Sequence, residues 1–274
     1  MPISVQAQRE LHACEARFHD AWARETALDR IRVHECFESA TAMENQFILK
    51  LMGSLHQKKV LDIGAGLGES SVYFALQGAE VTAVDVSPAM VDTACRLAKR
   101  HGVEITGVVA AGEDLCLPGE GYDIVYLANT IHHVQNRDLL FRQIWGTLKP
   151  GGWFFAYDPL VYNPLISLYR RMATAVRSRD ERPLGVQDLR LARRYFAGVE
   201  HREFWILTLL LFVKYYLLDR VHPNQDRYWK RIFNESPERL WWWLPLRSVD
   251  SFLTRLPLVR WLAWNAVLWG QKEG

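Results

Sequence analysis

The sequence predicts a doubly wound α/β sheet, and three observations predict it. Short β-type runs alternate with helical patterns through the middle of the chain. The first run leads straight into a glycine-rich turn and then a helix, across Val60–Gly68 (VLDIGAGLG). The second run ends on an acid, Asp85, about 20 residues past that turn, where nucleotide-type folds hold a ribose hydroxyl pair.

Each element follows from its residues. Gln6–Leu55 reads as helical: Leu11, Cys14, Phe18, Ala21 and Trp22 recur at spacings of three and four, as do Met43, Phe47, Ile48 and Leu51. Val60, Leu61 and Ile63 suit a strand buried on both faces. Gly64, Gly66 and Gly68 allow a tight turn and let a ligand touch bare backbone. Glu69–Leu76 is expected as a helix packed through Val72, Tyr73, Ala75 and Leu76. Ala79–Val84 is the second strand; Ser87-Pro88 then opens a helix over Ala89–His101, which Gly102 closes. Val103–Val109 is the third strand and Tyr122–Ala128 the fourth. Leu139–Leu148 is a helix ended by Lys149-Pro150-Gly151-Gly152, and Trp153–Tyr157 is the fifth strand, ended by Asp158-Pro159.

The 274 residues are 49% hydrophobic and 12% aromatic, enough for a large core. The four cysteines (14, 36, 95, 116) are scattered with no CxxC pair, which points to reduced thiols in a cytoplasmic protein. Met1–Leu11 is polar, so no signal peptide is expected. The net charge of +2 conceals an asymmetry. Residues 161–274 carry 19 basic against 11 acidic side chains, leaving 14 against 20 before them, and eight of the 11 tryptophans lie past 160. An acidic cofactor-type half is joined to a basic, tryptophan-rich half.

The glycine pattern is Gly-x-Gly-x-Gly, and Glu69 stands where a dinucleotide fold has its third glycine. A carboxylate there repels a pyrophosphate. The acid-Ile-Gly-x-Gly-x-Gly run resembles motif I of the class I S-adenosylmethionine-dependent methyltransferases, of the small-molecule type seen in the ubiquinone and menaquinone group. Asp85, the Tyr122-Asp123 strand entry and Leu148-Lys149-Pro150-Gly151-Gly152 strengthen the resemblance, which covers about residues 40–160. It implies a Rossmann-like seven-stranded sheet with an antiparallel last strand, N-terminal helices, and a largely helical insertion before that strand. Val199–Phe204 and Ala263–Gly270 would be the antiparallel sixth and seventh strands, with the seventh between the fifth and sixth. The organisation expected is a helical cap over 1–55, a cofactor-binding core over 56–160, and a lid over 161–274 carrying the last strands.

The resemblance also assigns residues. S-adenosyl-L-methionine would lie on Gly64, Ala65, Gly66 and Gly68, with Asp62 orienting the loop or meeting the amino group. Asp85, with Val86 beside it, would hold the ribose. Ala110–Leu117 would grip adenine through Gly112 and Glu113; Ala111 stands in the family's usual aspartate position, and Glu113 is the nearest substitute acceptor. His19, Trp22 and Glu44 could approach the cofactor from the leading helices. Asn129 closes the fourth strand, where open α/β sheets place their chemistry, and His132 and His133 follow it as candidate bases. Asp158 and Asn129 are two oxygen ligands without a third, so no metal is expected. The run Asn129-Thr130-Ile131-His132 lacks the Pro-Pro-aromatic signature of nucleic-acid amino methylases, so no nucleic-acid partner is expected.

The last third is expected to meet something greasy. Asn163-Pro164 caps a helix with Leu165, Leu168, Tyr169, Met172 and Val176 on one face and Arg170, Arg171 and Arg177 on the other. Glu203–Leu218 is almost wholly apolar yet too short to span a bilayer, which needs about 20 apolar residues. Trp241-Trp242-Trp243 and the arginines within Phe252–Leu268 suit either a membrane surface or a buried lid. Both imply a lipophilic acceptor for methyl transfer, O-methylation first, with peripheral association at the inner membrane face as one expectation. The rivals are a nicotinamide-dependent oxidoreductase, against which Glu69 and the lack of a Tyr-x-x-x-Lys pair argue, and a catalytically silent membrane-associated binding protein. The sequence leaves the oligomeric state open.

Overall fold

The computed structural model describes residues 5–115, 117, 121–178, 181–234 and 241–274. Cys116 and residues 235–240 of the tryptophan-rich segment lie outside them. Seven strands form one sheet: β1 (Lys59–Ile63), β2 (Glu80–Asp85), β3 (Thr106–Val109), β4 (Tyr122–Ala128), β5 (Leu148–Pro159), β6 (Ala197–Phe204) and β7 (Asn265–Gln271). Their order is β3-β2-β1-β4-β5-β7-β6. The strands from β1 to β5 are parallel, and β7 is antiparallel to both β5 and β6. The last strand is therefore reversed as expected, but β6 runs with the other five. A helical crossover joins β5 to β6, and such a crossover returns a chain in the same direction.

Alternation along the strands feeds two cores. Val60, Tyr126, Phe155 and Tyr157 face one, which α2 (Glu35–Glu38), α3 (Met43–Met52), α4 (Glu69–Leu76) and α5 (Pro88–Arg100) cover. Leu61, Ile63, Val125, Leu127, Phe154 and Ala156 face the other, under α6 (Arg137–Thr147) and α8 (Val186–Ala192). On α4 the buried set is Glu69, Ser71, Val72, Tyr73 and Phe74, while Ala75 and Leu76 are only half-buried. The third strand is shorter than its β-type sequence, and Lys149–Gly152 lies inside β5 rather than before it.

The leading helices differ from the expected stripe. On α1 (Val5–Glu25), Cys14 and Ala21 are exposed, and the inward face instead carries His12, Glu15, His19 and Trp22. These also recur at three and four, but the face lines a polar cleft rather than a core. On α7 (Pro164–Met172), Ile166 is the buried residue, Leu165 and Leu168 are exposed, and Arg170 turns inward. The stretch Glu203–Leu218 is not one apolar unit: it is the end of β6, a turn through the fully buried Trp205, and α9 (Leu210–Leu217). After it come α10 (Tyr228–Asn234) and α11 (Trp243–Leu253). Among the described residues no helix is long and apolar enough to cross a membrane.

Candidate active site

The carboxyl ends of β1, β2 and β4 open into one cleft, roofed by α1 and by the segment after β5. The glycine turn forms its floor. A Cβ on Gly64 would meet the Thr130 side chain at 2.3 Å, whereas nothing lies within 4 Å of one built on Gly66. Gly64 is therefore bare because β4's loop presses on it, and Gly66 because that space is left open to a ligand. The amides of Gly64 and Ala65 both donate to the Val84 carbonyl, at 2.8 and 2.9 Å, and those of Gly66 and Gly68 donate to Asp85 and the Ala65 carbonyl. Four backbone donors that a pyrophosphate cradle would need are thus committed to the chain itself. With Glu69 beside them, the turn fits a phosphate-free nucleoside.

Asp85 accepts from the Gly66 and Ser87 amides, both at 2.9 Å, and its burial raises the carboxyl's pKa. Asp62 is buried under the turn and accepts from the Ser71 hydroxyl at 2.6 Å. Burial first, then the neighbouring Asp85 and Glu69, push its pKa up to about 7. Val86 lines the same end of the cleft. Gly112 has a packing reason to be glycine, since a Cβ there would meet Leu140 at 2.9 Å and Ile63 at 3.1 Å.

Asn129 ends β4 in a left-handed conformation (φ 52°), its amide donating to the Tyr157 carbonyl. The short 3-10 turn Ile131–His133 then brings in the histidines. Asp158 is fully buried; it accepts from the amides of Thr130, Ile131 and His132 and meets His132 Nδ1 at 2.5 Å. This carboxylate is a clamp for the turn, not a candidate metal ligand. A carboxylate can only accept, so His132 carries its proton on Nδ1 and presents Nε2 as a lone pair, 3.8 Å from Glu181. Burial, then the adjacent His133, lower the pKa of His132 against the pull of Asp158. His133 packs against His132, its own Nδ1 3.3 Å from both Glu15 and the Ser178 hydroxyl. Burial opposes its charge, but Glu15 overcomes this and raises its pKa.

Several site residues escaped the sequence. Asp20 on α1 accepts from the Ser87 hydroxyl at 2.5 Å and the Ala89 amide at 3.1 Å, which pins α1 over the loop after β2. Glu181 pairs with Arg170 and Arg177 and accepts from the Ser178 amide. Glu15 lies one helical turn before His19, and a Glu-x-x-x-His spacing on α1 is the signal that could have found it. Of the two other residues expected from the leading helices, Trp22 lines the cleft and Glu44 does not: it accepts from Trp205 and Asn265, tying α3 to the ends of β6 and β7. Ligand atoms of Glu15, His19 and His133 lie within 4.8 Å of one another, as do those of His132, His133 and Glu181.

Residues 61–156 match the family described as a methyltransferase domain. The ubiquinone biosynthesis O-methyltransferase of Bordetella avium is 34% identical over 130 residues, covering 45% of this chain and 52% of that one. The demethylmenaquinone methyltransferase of Tropheryma whipplei is 32% identical over 126 residues, 44% and 52% of the two chains. The chain thus spans about half the length of the curated relatives it matches. Among solved structures, a phosphoethanolamine N-methyltransferase 2 of Haemonchus contortus, in complex with phosphomonomethylethanolamine and S-adenosylhomocysteine, superposes with a TM-score of 0.61 at 17% identity, covering 99% of this chain and 60% of that one. At that identity the likeness is one of fold, a Rossmann-like seven-stranded sheet with one antiparallel strand.

Proposed function

We propose, from the methyltransferase domain over residues 61–156, that the protein moves a methyl group from S-adenosyl-L-methionine to a hydroxyl of a lipophilic small molecule. The observation that carries this reading is the His132–Asp158 pair, whose imidazole lines the cleft that the glycine turn floors. The cofactor supplies a methyl already activated on a sulfonium. The chain's own task is alignment and one proton. Gly64, Ala65, Gly66 and Gly68 support the methionine part, with Asp62 at its amino group. Asp85 and Val86 take the ribose, and Gly112 and Glu113 the adenine, with Asn129 closing that side. His132 Nε2 removes the acceptor's hydroxyl proton, and Asp158 positions the ring and stabilises the imidazolium that forms. His133, paired with Glu15, serves as a positioning residue.

The acceptor side supports a lipophilic body, for Ile166, Val176, Trp229, Phe233 and Trp264 line it. Outside, Leu217, Leu218, Trp241, Phe252 and Leu258 each expose more than half their surface, beside the exposed Arg255. This surface supports peripheral seating on an anionic membrane, from which such an acceptor would be drawn.

The reading is tested by incubating the protein with methyl-labelled cofactor and a bacterial lipid extract. Label entering the organic phase with the parent, and lost with His132→Ala, is the expected result. No label in any lipid fraction rejects it in favour of a silent binding protein. Calorimetric binding of NAD in place of S-adenosylmethionine rejects it in favour of an oxidoreductase.

A further inference from the structure

The acceptor side of the cleft holds two polar groups that the assignments above do not use: a hydroxyl with no acceptor and a guanidinium with no ion pair among the described residues. The Tyr169 hydroxyl is buried without a hydrogen bond; the nearby Tyr228 backbone amide can only donate, so the phenolic proton has no acceptor. The Arg227 guanidinium is half-buried, with Cζ 4.3 Å from the Trp22 ring centroid, and forms no ion pair among the described residues. Glu25 and Asp226 reach it only through space.

A third observation points to the same place. Among the described residues, Arg170 and Arg177 share a single carboxylate, Glu181. Tyr169, Arg177 and Arg227 all line the same cleft. Lys230 is paired with Glu69. Arg170, Arg177 and Arg227 therefore stand on the segments after β5 and β6, while Asp62, Asp85 and Glu113 line the opposite, sheet side of the same cleft. An orphaned donor and an unpaired guanidinium are each costly when half-buried. Both are satisfied at once by oxygens that carry negative charge.

We infer that the acceptor is an anionic amphiphile, whose carboxylate or phosphate is received by the Tyr169 hydroxyl and the Arg227 and Arg177 guanidiniums, with its apolar body against Val176, Trp229 and Phe233. The word acceptor rests on the methyltransferase reading; the anion preference does not. The charge layout also orients such a molecule, since its anionic end is repelled by Asp85 and drawn to the lid.

The test titrates phenylacetate, phenyl phosphate and neutral phenylacetamide into protein saturated with S-adenosylhomocysteine. At least one anion is expected to bind about tenfold or more tightly than phenylacetamide. The preferred anion distinguishes carboxylate from phosphate chemistry. Arg227→Met and Tyr169→Phe should each reduce that preference while leaving S-adenosylhomocysteine affinity unchanged. Tyr169→Phe is the sharper variant: its hydroxyl has no partner in the free protein, so a merely structural role predicts an unchanged melting temperature and unchanged anion binding. Equal binding of anion and amide, no binding of any probe, or a preference that survives in both variants overturns the inference. Failure of S-adenosylhomocysteine to bind overturns the methyltransferase reading instead, and the anion titrations remain readable on the cofactor-free protein.

Discussion

His132 and Asp158 meet at 2.5 Å although 26 residues separate them, because β4 and β5 are neighbours and both release their chains at the same edge of the cleft. The contact fixes which imidazole nitrogen is free. His132→Ala is therefore expected to lose about 10²–10⁴ in kcat with cofactor affinity intact. The sign of the pH dependence follows: turnover needs the neutral ring, so rate rises with pH through the pKa of His132, which burial sets below the ordinary histidine value. Asp158 opposes that shift, so Asp158→Asn should move the acid limb of the kcat profile further down. An acid limb that stays in place in Asp158→Asn would show that His132 is not the titrating base.

Asp85→Ala should weaken cofactor binding about ten- to a hundred-fold, which corresponds to a charge-assisted contact of roughly 1.5–3 kcal/mol. Part of that loss is indirect, because Asp85 also receives the Gly66 and Ser87 amides. Asp85→Asn keeps one carbonyl acceptor and should fall between the two. Calorimetry with S-adenosylhomocysteine measures all three proteins, and a dissociation constant unmoved by Asp85→Ala would reduce this residue to a loop cap.

On the proposed reading, Asp62 should link cofactor binding to a proton. With its pKa pushed up to about 7, it is largely protonated at pH 6 in the free protein. A cationic amino group beside it favours the carboxylate, so binding should release a proton between about pH 5 and 7 and none above pH 8. Titrations in buffers of different ionisation enthalpy read this directly. The raised folded pKa also means that Asp62 contributes stability below its unfolded pKa and loses it as pH rises through about 7. Asp62→Asn should thus melt higher than the parent at pH 8, with little gain at pH 5. Binding enthalpies independent of buffer would separate Asp62 from the amino group.

Trp241 is 80% exposed and Trp243 fully buried, so the tryptophan run answers two questions. Trp243 donates to the Thr208 carbonyl at 3.2 Å and packs on Trp205. Trp243→Ala should cost about 3–5 kcal/mol of stability. Trp241→Ala should leave the melt unchanged and weaken co-sedimentation with anionic vesicles, where each nearby arginine adds about 1 kcal/mol and salt reduces the effect. Parent protein that stays in the supernatant at low salt would defeat the membrane seating and leave the lipophilic cleft standing.

What was legible in the sequence was local. The turn Gly64–Gly68, Asp85 and the Ser87-Pro88 cap are read from adjacent residues, and the structure places each where the pattern put it. The His132–Asp158 clamp, Glu15 and Glu181 are contacts across the chain, which periodicity does not record. The helix α7 misled because an amphipathic pattern says that two faces differ, not which one faces inward. A polar cleft drew Arg170 in and left Leu165 and Leu168 outside. The same reversal put His12, Glu15 and His19 on the inner face of α1.

The segment from 205 to 264 leaves the sheet after Phe204 and returns at Asn265, and those two residues are paired with each other across β6 and β7. Its ends are thus held at one point of the sheet, further fastened by the Trp264 amide on the carbonyls of Phe204 and Trp205. A loop closed at its base tolerates changes of length cheaply, since each doubling adds only about 0.6 kcal/mol of closure entropy. Arg227, Trp229 and Phe233 all lie on this excursion, whereas the glycine turn, Asp85 and His132 do not. On the methyl-transfer reading, part of the acceptor wall is thus carried on an excursion closed at its base, while Tyr169, Val176 and Arg177 complete that wall from the segment after β5.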